Sequence, residues 1–117
     1  MSVVIYHNPR CSKSRETLKL ITDAGVEPTI VKYLTTGWTK PQLQSLFAEA
    51  GLTPQQALRA GPDDVGLTDP AADDDTVLDA MVAQPKLVNR PIVKTPKGVR
   101  LCRPPETVLE ILDVPDV

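Results

Sequence analysis

The sequence predicts an α/β fold with a small mixed sheet, ordered βαβ, then a helical insertion, then ββα. Three observations carry this. Short apolar, β-branched runs stand near both ends of the chain, from Val3 to Tyr6 and from Pro28 to Tyr33 at one end, and around Pro91-Ile92-Val93 at the other. Apolar residues at helical spacing follow the first run and precede the C-terminus. The middle holds helix-start signals but no further strand run. At 117 residues, one domain spanning 1–117 is expected, with the helical insertion over about residues 39–85.

Val3-Val4-Ile5-Tyr6 is apolar throughout, which suits a strand covered on both faces. Leu18, Ile21 and Ala24 then recur at helical spacing, and Gly25 supplies a stop. Residues 28–33 read as a second strand, and a short strand–helix–strand unit implies a parallel pair. Thr39-Lys40-Pro41-Gln42 fits a capping box with proline in the first turn. Leu43, Leu46, Phe47 and Ala50 continue as a helical stripe ended by Gly51. Thr53-Pro54-Gln55-Gln56 repeats the start signal and predicts a short helix through Leu58 and Arg59. Residues 61–72 read as an irregular loop. Asp73-Asp74-Asp75 suits the first turn of a helix carrying Val77, Leu78, Met81 and Val82, stopped by Pro85. Residues 87–93 and 99–102, joined by Thr95-Pro96-Lys97-Gly98, predict an antiparallel hairpin. Pro104-Pro105-Glu106 opens a last helix with Val108, Leu109, Ile111 and Leu112 on its buried side. With the insertion set aside, this is the element order of a thioredoxin-like domain.

Composition narrows the function classes. A formal net charge of −2 argues against a nucleic-acid or membrane-surface binder. No apolar run approaches the roughly 18 residues that span a bilayer, and no secretion signal is expected. The two cysteines, Cys11 and Cys102, lie at opposite ends of the sequence. That is neither a disulfide framework nor, with a single histidine, a metal set. A reducing cytoplasm is the expected compartment, and no bound metal or cofactor is expected.

His7-Asn8-Pro9-Arg10-Cys11-Ser12-Lys13-Ser14-Arg15 lies between the first strand and the first helix. Cys11 therefore falls where loop becomes helix. The first amides of a helix have no internal partners and carry partial positive charge. A thiolate is stabilised there, and an oxyanion docks beside it. His7, Arg10, Lys13 and Arg15 add positive charge. The signal is an activated thiol beside an anion site. Cys102 sits in an apolar run and reads as a small core residue.

Four stretches carry a family resemblance: His7 to Arg15, Ala57-Leu58-Arg59, Val88-Asn89-Arg90-Pro91-Ile92-Val93, and Arg100-Leu101-Cys102-Arg103-Pro104-Pro105-Glu106. Together they resemble the glutaredoxin-coupled arsenate reductase family, whose fold is thioredoxin-like with a helical insertion. The resemblance implies that Cys11 is the nucleophile that attacks arsenate. It implies that Arg59, Arg90 and Arg103 hold the oxyanion and stabilise the thiolate, since planar donor forks suit a tetrahedral anion. His7 matches a residue implicated in lowering the thiol pKa. Pro91 matches the proline that thioredoxin-like folds place before the third strand, with a cis peptide bond. Glutathione is implied as co-substrate and glutaredoxin as protein partner. The stretch between Arg59 and Arg90 is shorter than the family pattern.

Other readings stay open at this level. Ser14 gives C-x-x-S, which excludes a disulfide between neighbouring thiols and separates the chain from a C-x-x-C relative that acts as a protein-binding regulator. A relative acting on another glutathione-linked substrate would need the same thiol and anion pocket. A tyrosine-phosphatase loop would need an arginine where the chain has Thr17.

Overall fold

The computed structural model describes residues 2–59, 65–69 and 71–112. Its elements run β1 (Val4–Tyr6), α1 (Ser12–Asp23), β2 (Thr29–Val31), α2 (Tyr33–Thr36), α3 (Lys40–Ala50), α4 (Val65–Thr68), α5 (Asp74–Ala83), β3 (Ile92–Thr95) and β4 (Gly98–Leu101), with 3₁₀ turns at Pro85–Leu87 and Pro105–Glu110. Two compact units result: Met1–Thr36 with Arg90–Val117, and Gly37–Asn89.

The first unit holds the sheet, in the order β2-β1-β3-β4. β1 pairs with β2 in parallel, Ile5 opposite Ile30. It pairs with β3 antiparallel, Ile5 opposite Val93. β3 and β4 form the expected hairpin, Val93 opposite Arg100. This is the mixed, thioredoxin-like sheet that the element order predicts. Its core joins Val3 and Ile5, Ile21 of α1, Val93 of β3, Cys102, Val108, Ile111 and Leu112. Burying each of the larger aliphatic chains contributes about 1.5–3 kcal/mol.

α1 ends at Gly25 as the sequence requires. Gly25 takes φ +81°, its amide donates to Thr22 O, and the Val26 amide donates to Ile21 O. This pair of bonds is a Schellman stop, which closes on a residue with positive φ. β2 is shorter than residues 28–33 predict. Thr35 and Thr36 both donate to the Lys32 carbonyl, so the chain coils into α2 at Tyr33. The C-terminal segment is a 3₁₀ helix, and Leu109 lies on its outer side, 45 % exposed, contrary to expectation. A 3₁₀ helix carries three residues per turn, so Val108 and Ile111 share the buried face and Leu109 rotates away.

In the second unit, α3 opens with a full capping box. The Gln42 amide donates to Thr39 Oγ1, and the Thr39 amide donates to Gln42 Oε1. Asp73 caps α5 by accepting from the Thr76 amide at 2.8 Å. Leu43, Leu46, Phe47, Val77, Leu78 and Met81 are buried. The helix predicted from Thr53 through Arg59 is instead a set of turns. Thr53 and Gln56 do make the reciprocal capping bonds. Leu58, however, bridges Val88 antiparallel. The Arg59 amide goes to Leu87 O, and Ala57 O accepts from Asn89. Cross-chain partners have taken the groups a helix would have used. Of the predicted loop 61–72, residues 61–64 and 70 lie outside the described residues, while 65–68 form the turn α4. Gln55 Nε2 donates to the carbonyls of Leu67 and Asp69, which ties down α4 and the residue that follows it.

Candidate active site

The site is built where β1 gives way to α1. His7 prolongs the β1–β2 pairing, its amide donating to Val31 O at 2.8 Å. Asn8 then shapes the loop. Its side-chain Oδ1 accepts from the Arg10 amide, and its carbonyl accepts from the Cys11 amide at 3.0 Å. An asparagine that hydrogen-bonds the backbone two residues on mimics a turn. The Arg15 guanidinium donates to Pro9 O, closing the loop from the helix side.

Cys11 is the N-cap of α1, in extended conformation, and its carbonyl accepts the first helical bond from Arg15. A side chain at this position faces the unpaired amides of the first turn. The residue is 9 % exposed. Burial alone would raise its pKa. The Ser14 amide, the Arg90 side chain, the Lys13 amide and the Arg90 charge together outweigh burial, and the thiol pKa lies below its ordinary value. The Cys11 side chain makes no geometrically complete cap bond. The amides of Lys13 and Ser14 act on the sulfur electrostatically.

His7 is buried, and its Nδ1 lies 2.6 Å from Ser14 Oγ. Its direct partner is that hydroxyl and not the sulfur. Burial, then the charges of Lys32 and Arg15, lower its pKa, so the ring is neutral at physiological pH. Ser14 has no exposed surface, and its Oγ also accepts from the Asn8 amide at 3.0 Å.

Arg90 and Arg103 come together from the two ends of the hairpin. The Arg90 side chain acts on Cys11, and Arg103 Nη1 donates to Arg90 O at 3.0 Å. Between them Pro91 is buried, follows a cis peptide bond, and accepts at its carbonyl from the Cys102 amide. Arg59 belongs to the 37–89 unit, where its side chain is exposed and its backbone is fixed by Leu87. Cys102 is fully buried, and burial pushes its thiol up to about 12.

Two contributors escaped the sequence reading. Asn8 carried a local signal, an asparagine before proline. Lys32 carried none, because only the pairing of β1 with β2 brings it near His7. Among the described residues no cluster of three or more His, Cys, Asp or Glu could hold a metal ion. No helix there is long and apolar enough to cross a membrane. The assembled groups can hold an anion beside a thiol whose ionisation they favour, and let the sulfur attack it.

Comparison with known proteins agrees. The ArsC family model matches residues 6–111. Arsenate reductase ArsI2 of Synechocystis is 55% identical over 95% of this chain and 81% of its own length. The arsenate reductase of Escherichia coli K12 is 46% identical over 95% of this chain and 81% of its own. Among solved structures, an arsenate reductase from Vibrio cholerae superposes with a TM-score of 0.89 at 45% identity, covering 96% of this chain and 98% of that one.

Proposed function

The chain belongs to the ArsC family, and from that footing we propose that it reduces arsenate to arsenite through Cys11, with external thiols as reductant. The observation that carries the reading is the Cys11 sulfur at the N-cap of α1, its pKa held down by helix amides and by Arg90. A lowered thiol pKa raises the share of thiolate, the nucleophile this reaction needs.

The Cys11 thiolate attacks arsenic, and one arsenate oxygen leaves as water. Arg90 and Arg103 bind the oxyanion with charged hydrogen bonds, helped by the amides of the first turn of α1. Ala57-Leu58-Arg59 resembles the family motif that carries a third substrate arginine. A glutathione thiol then joins arsenic on the Cys11 adduct, and a second arsenate oxygen leaves as water. A second thiol, from glutaredoxin, attacks the glutathione sulfur, and the electron pair of the sulfur–arsenic bond passes to arsenic. Water releases arsenite and restores the Cys11 thiol. Two external thiols thus become one disulfide, arsenic gains two electrons, and one water is formed. A reducing cytoplasm is the compartment this chemistry fits.

The test is arsenate-dependent NADPH oxidation with glutathione, glutaredoxin and glutathione reductase supplied. Wild type turns over, and Cys11→Ser, folded by circular dichroism, does not. Turnover in that variant, or none in wild type, overturns the reading.

A further inference from the structure

His7, Asn8 and Ser14 are joined by hydrogen bonds in the loop and first helical turn that flank Cys11. Ser14 Oγ lies 2.6 Å from His7 Nδ1 and 3.0 Å from the Asn8 amide nitrogen. All three residues are buried, so the Ser14 hydroxyl must find its partners inside the protein. The Asn8 amide can only donate, so it occupies one lone pair of the hydroxyl. A hydroxyl has one proton to give, and among the described residues His7 Nδ1 is the acceptor it meets. With Nδ1 unprotonated, Ser14 donates to it while accepting from the Asn8 amide, and both contacts are used. The neutral ring then carries its proton on Nε2. The charges of Lys32, in the chain after β2, and of Arg15 in α1 oppose a second proton on His7.

Ser14 also supplies, through its own backbone amide, one of the donors that act on the Cys11 sulfur. Its side chain is thus anchored to the end of β1 while its amide faces the reacting atom. We infer that His7 is a positioning residue: by accepting the Ser14 hydroxyl it locks the first turn of α1 with its amides aimed at Cys11, and the ring itself neither takes the thiol proton nor supplies charge to the sulfur. Ser14 is the positioning link between the two. The inference deepens the proposed function by assigning roles around the same nucleophile.

The pH dependence of Cys11 alkylation by iodoacetamide tests it, followed on the intact chain by peptide mass mapping. Arsenate is not used, so a failure of arsenate turnover and a failure here are read separately. His7→Ala and Ser14→Ala should each raise the midpoint of the alkylation profile by about one unit, roughly tenfold slower reaction below it. The double variant should move it no further, because both remove one linkage. His7→Asn places Oδ1 near the position of Nδ1 and should return the midpoint close to wild type. The inference is overturned if His7→Asn behaves as His7→Ala, if Ser14→Ala leaves the midpoint in place, or if the single shifts add. Should Ser14→Ala fail to fold, the contrast between His7→Asn and His7→Ala decides alone.

Discussion

Arg103 donates through Nη1 to the carbonyl oxygen of Arg90 at 3.0 Å, so two arginines separated by a whole hairpin share one hydrogen bond. Of the two, Arg90 is the one that acts on the Cys11 thiol. The two should therefore separate on substitution. Arg90→Lys keeps a charge but loses the planar fork, and should both raise the thiol pKa and lower kcat/KM by about 10- to 100-fold. Arg103→Ala should lower kcat/KM by a similar factor while leaving the thiol midpoint unchanged. Steady-state kinetics together with the alkylation profile read both quantities. A raised midpoint in Arg103→Ala would contradict the division of labour.

The two cysteines differ in accessibility and in ionisation. Cys11 has its pKa lowered, whereas Cys102 is fully buried and pushed up to about 12. In the native protein iodoacetamide should therefore modify Cys11 alone, and both thiols should react in guanidinium chloride. Comparable native rates at the two sites would be incompatible with this burial.

The raised Cys102 pKa also makes stability depend on alkaline pH. In the unfolded chain the thiol ionises near its ordinary value of 9.0, while in the folded chain it holds its proton to about 12. The unfolded state therefore sheds a proton first, and the Cys102 contribution, complete below pH 9, is lost as pH rises beyond it. Urea unfolding at pH 8 and pH 10 should show a loss of stability that is smaller in Cys102→Ala. That variant should also be less stable at pH 8, by about 1 kcal/mol, for the small cavity it leaves.

His7 works in the opposite direction. Its folded pKa lies below 6.5, with burial as the main cause. Protonation therefore favours the unfolded chain, and stability should fall as pH drops through 6.5 toward the lower folded value. A comparison of unfolding midpoints at pH 7.5 and 5.5 should find this loss reduced in His7→Asn, which cannot be protonated.

Far from the thiol, Thr39 and Gln42 bond reciprocally at the start of α3. Thr39→Ala removes the side-chain acceptor and should cost about 1 kcal/mol, within the usual range for N-caps. The fold and the thiol profile should be unaffected. An unchanged denaturation midpoint would show that this cap contributes nothing.

Local chemistry was legible wherever neighbours along the chain supplied it. The alternation of apolar runs gave β1, α1, α3, α5 and the β3–β4 hairpin. Gly25, Gly51 and the Thr39 box marked ends that the structure keeps. The same logic failed at Thr53-Pro54-Gln55-Gln56, where the capping bonds form but no helix follows. There the bridge from Leu58 to Val88 competes for the backbone, and no local signal records a partner so far away in sequence.

Connectivity along the chain places Cys11 at a strand-to-helix junction, where the unpaired amides of a helix start make a reactive sulfur possible. Tertiary structure decided which groups tune that sulfur. Arg90 reaches it because β3 lies beside β1, and Lys32 opposes protonation of His7 because β2 lies on the other side. Coulomb forces and hydrogen bonds act through space over a few ångströms, so their partners are chosen by sheet order and not by distance along the chain.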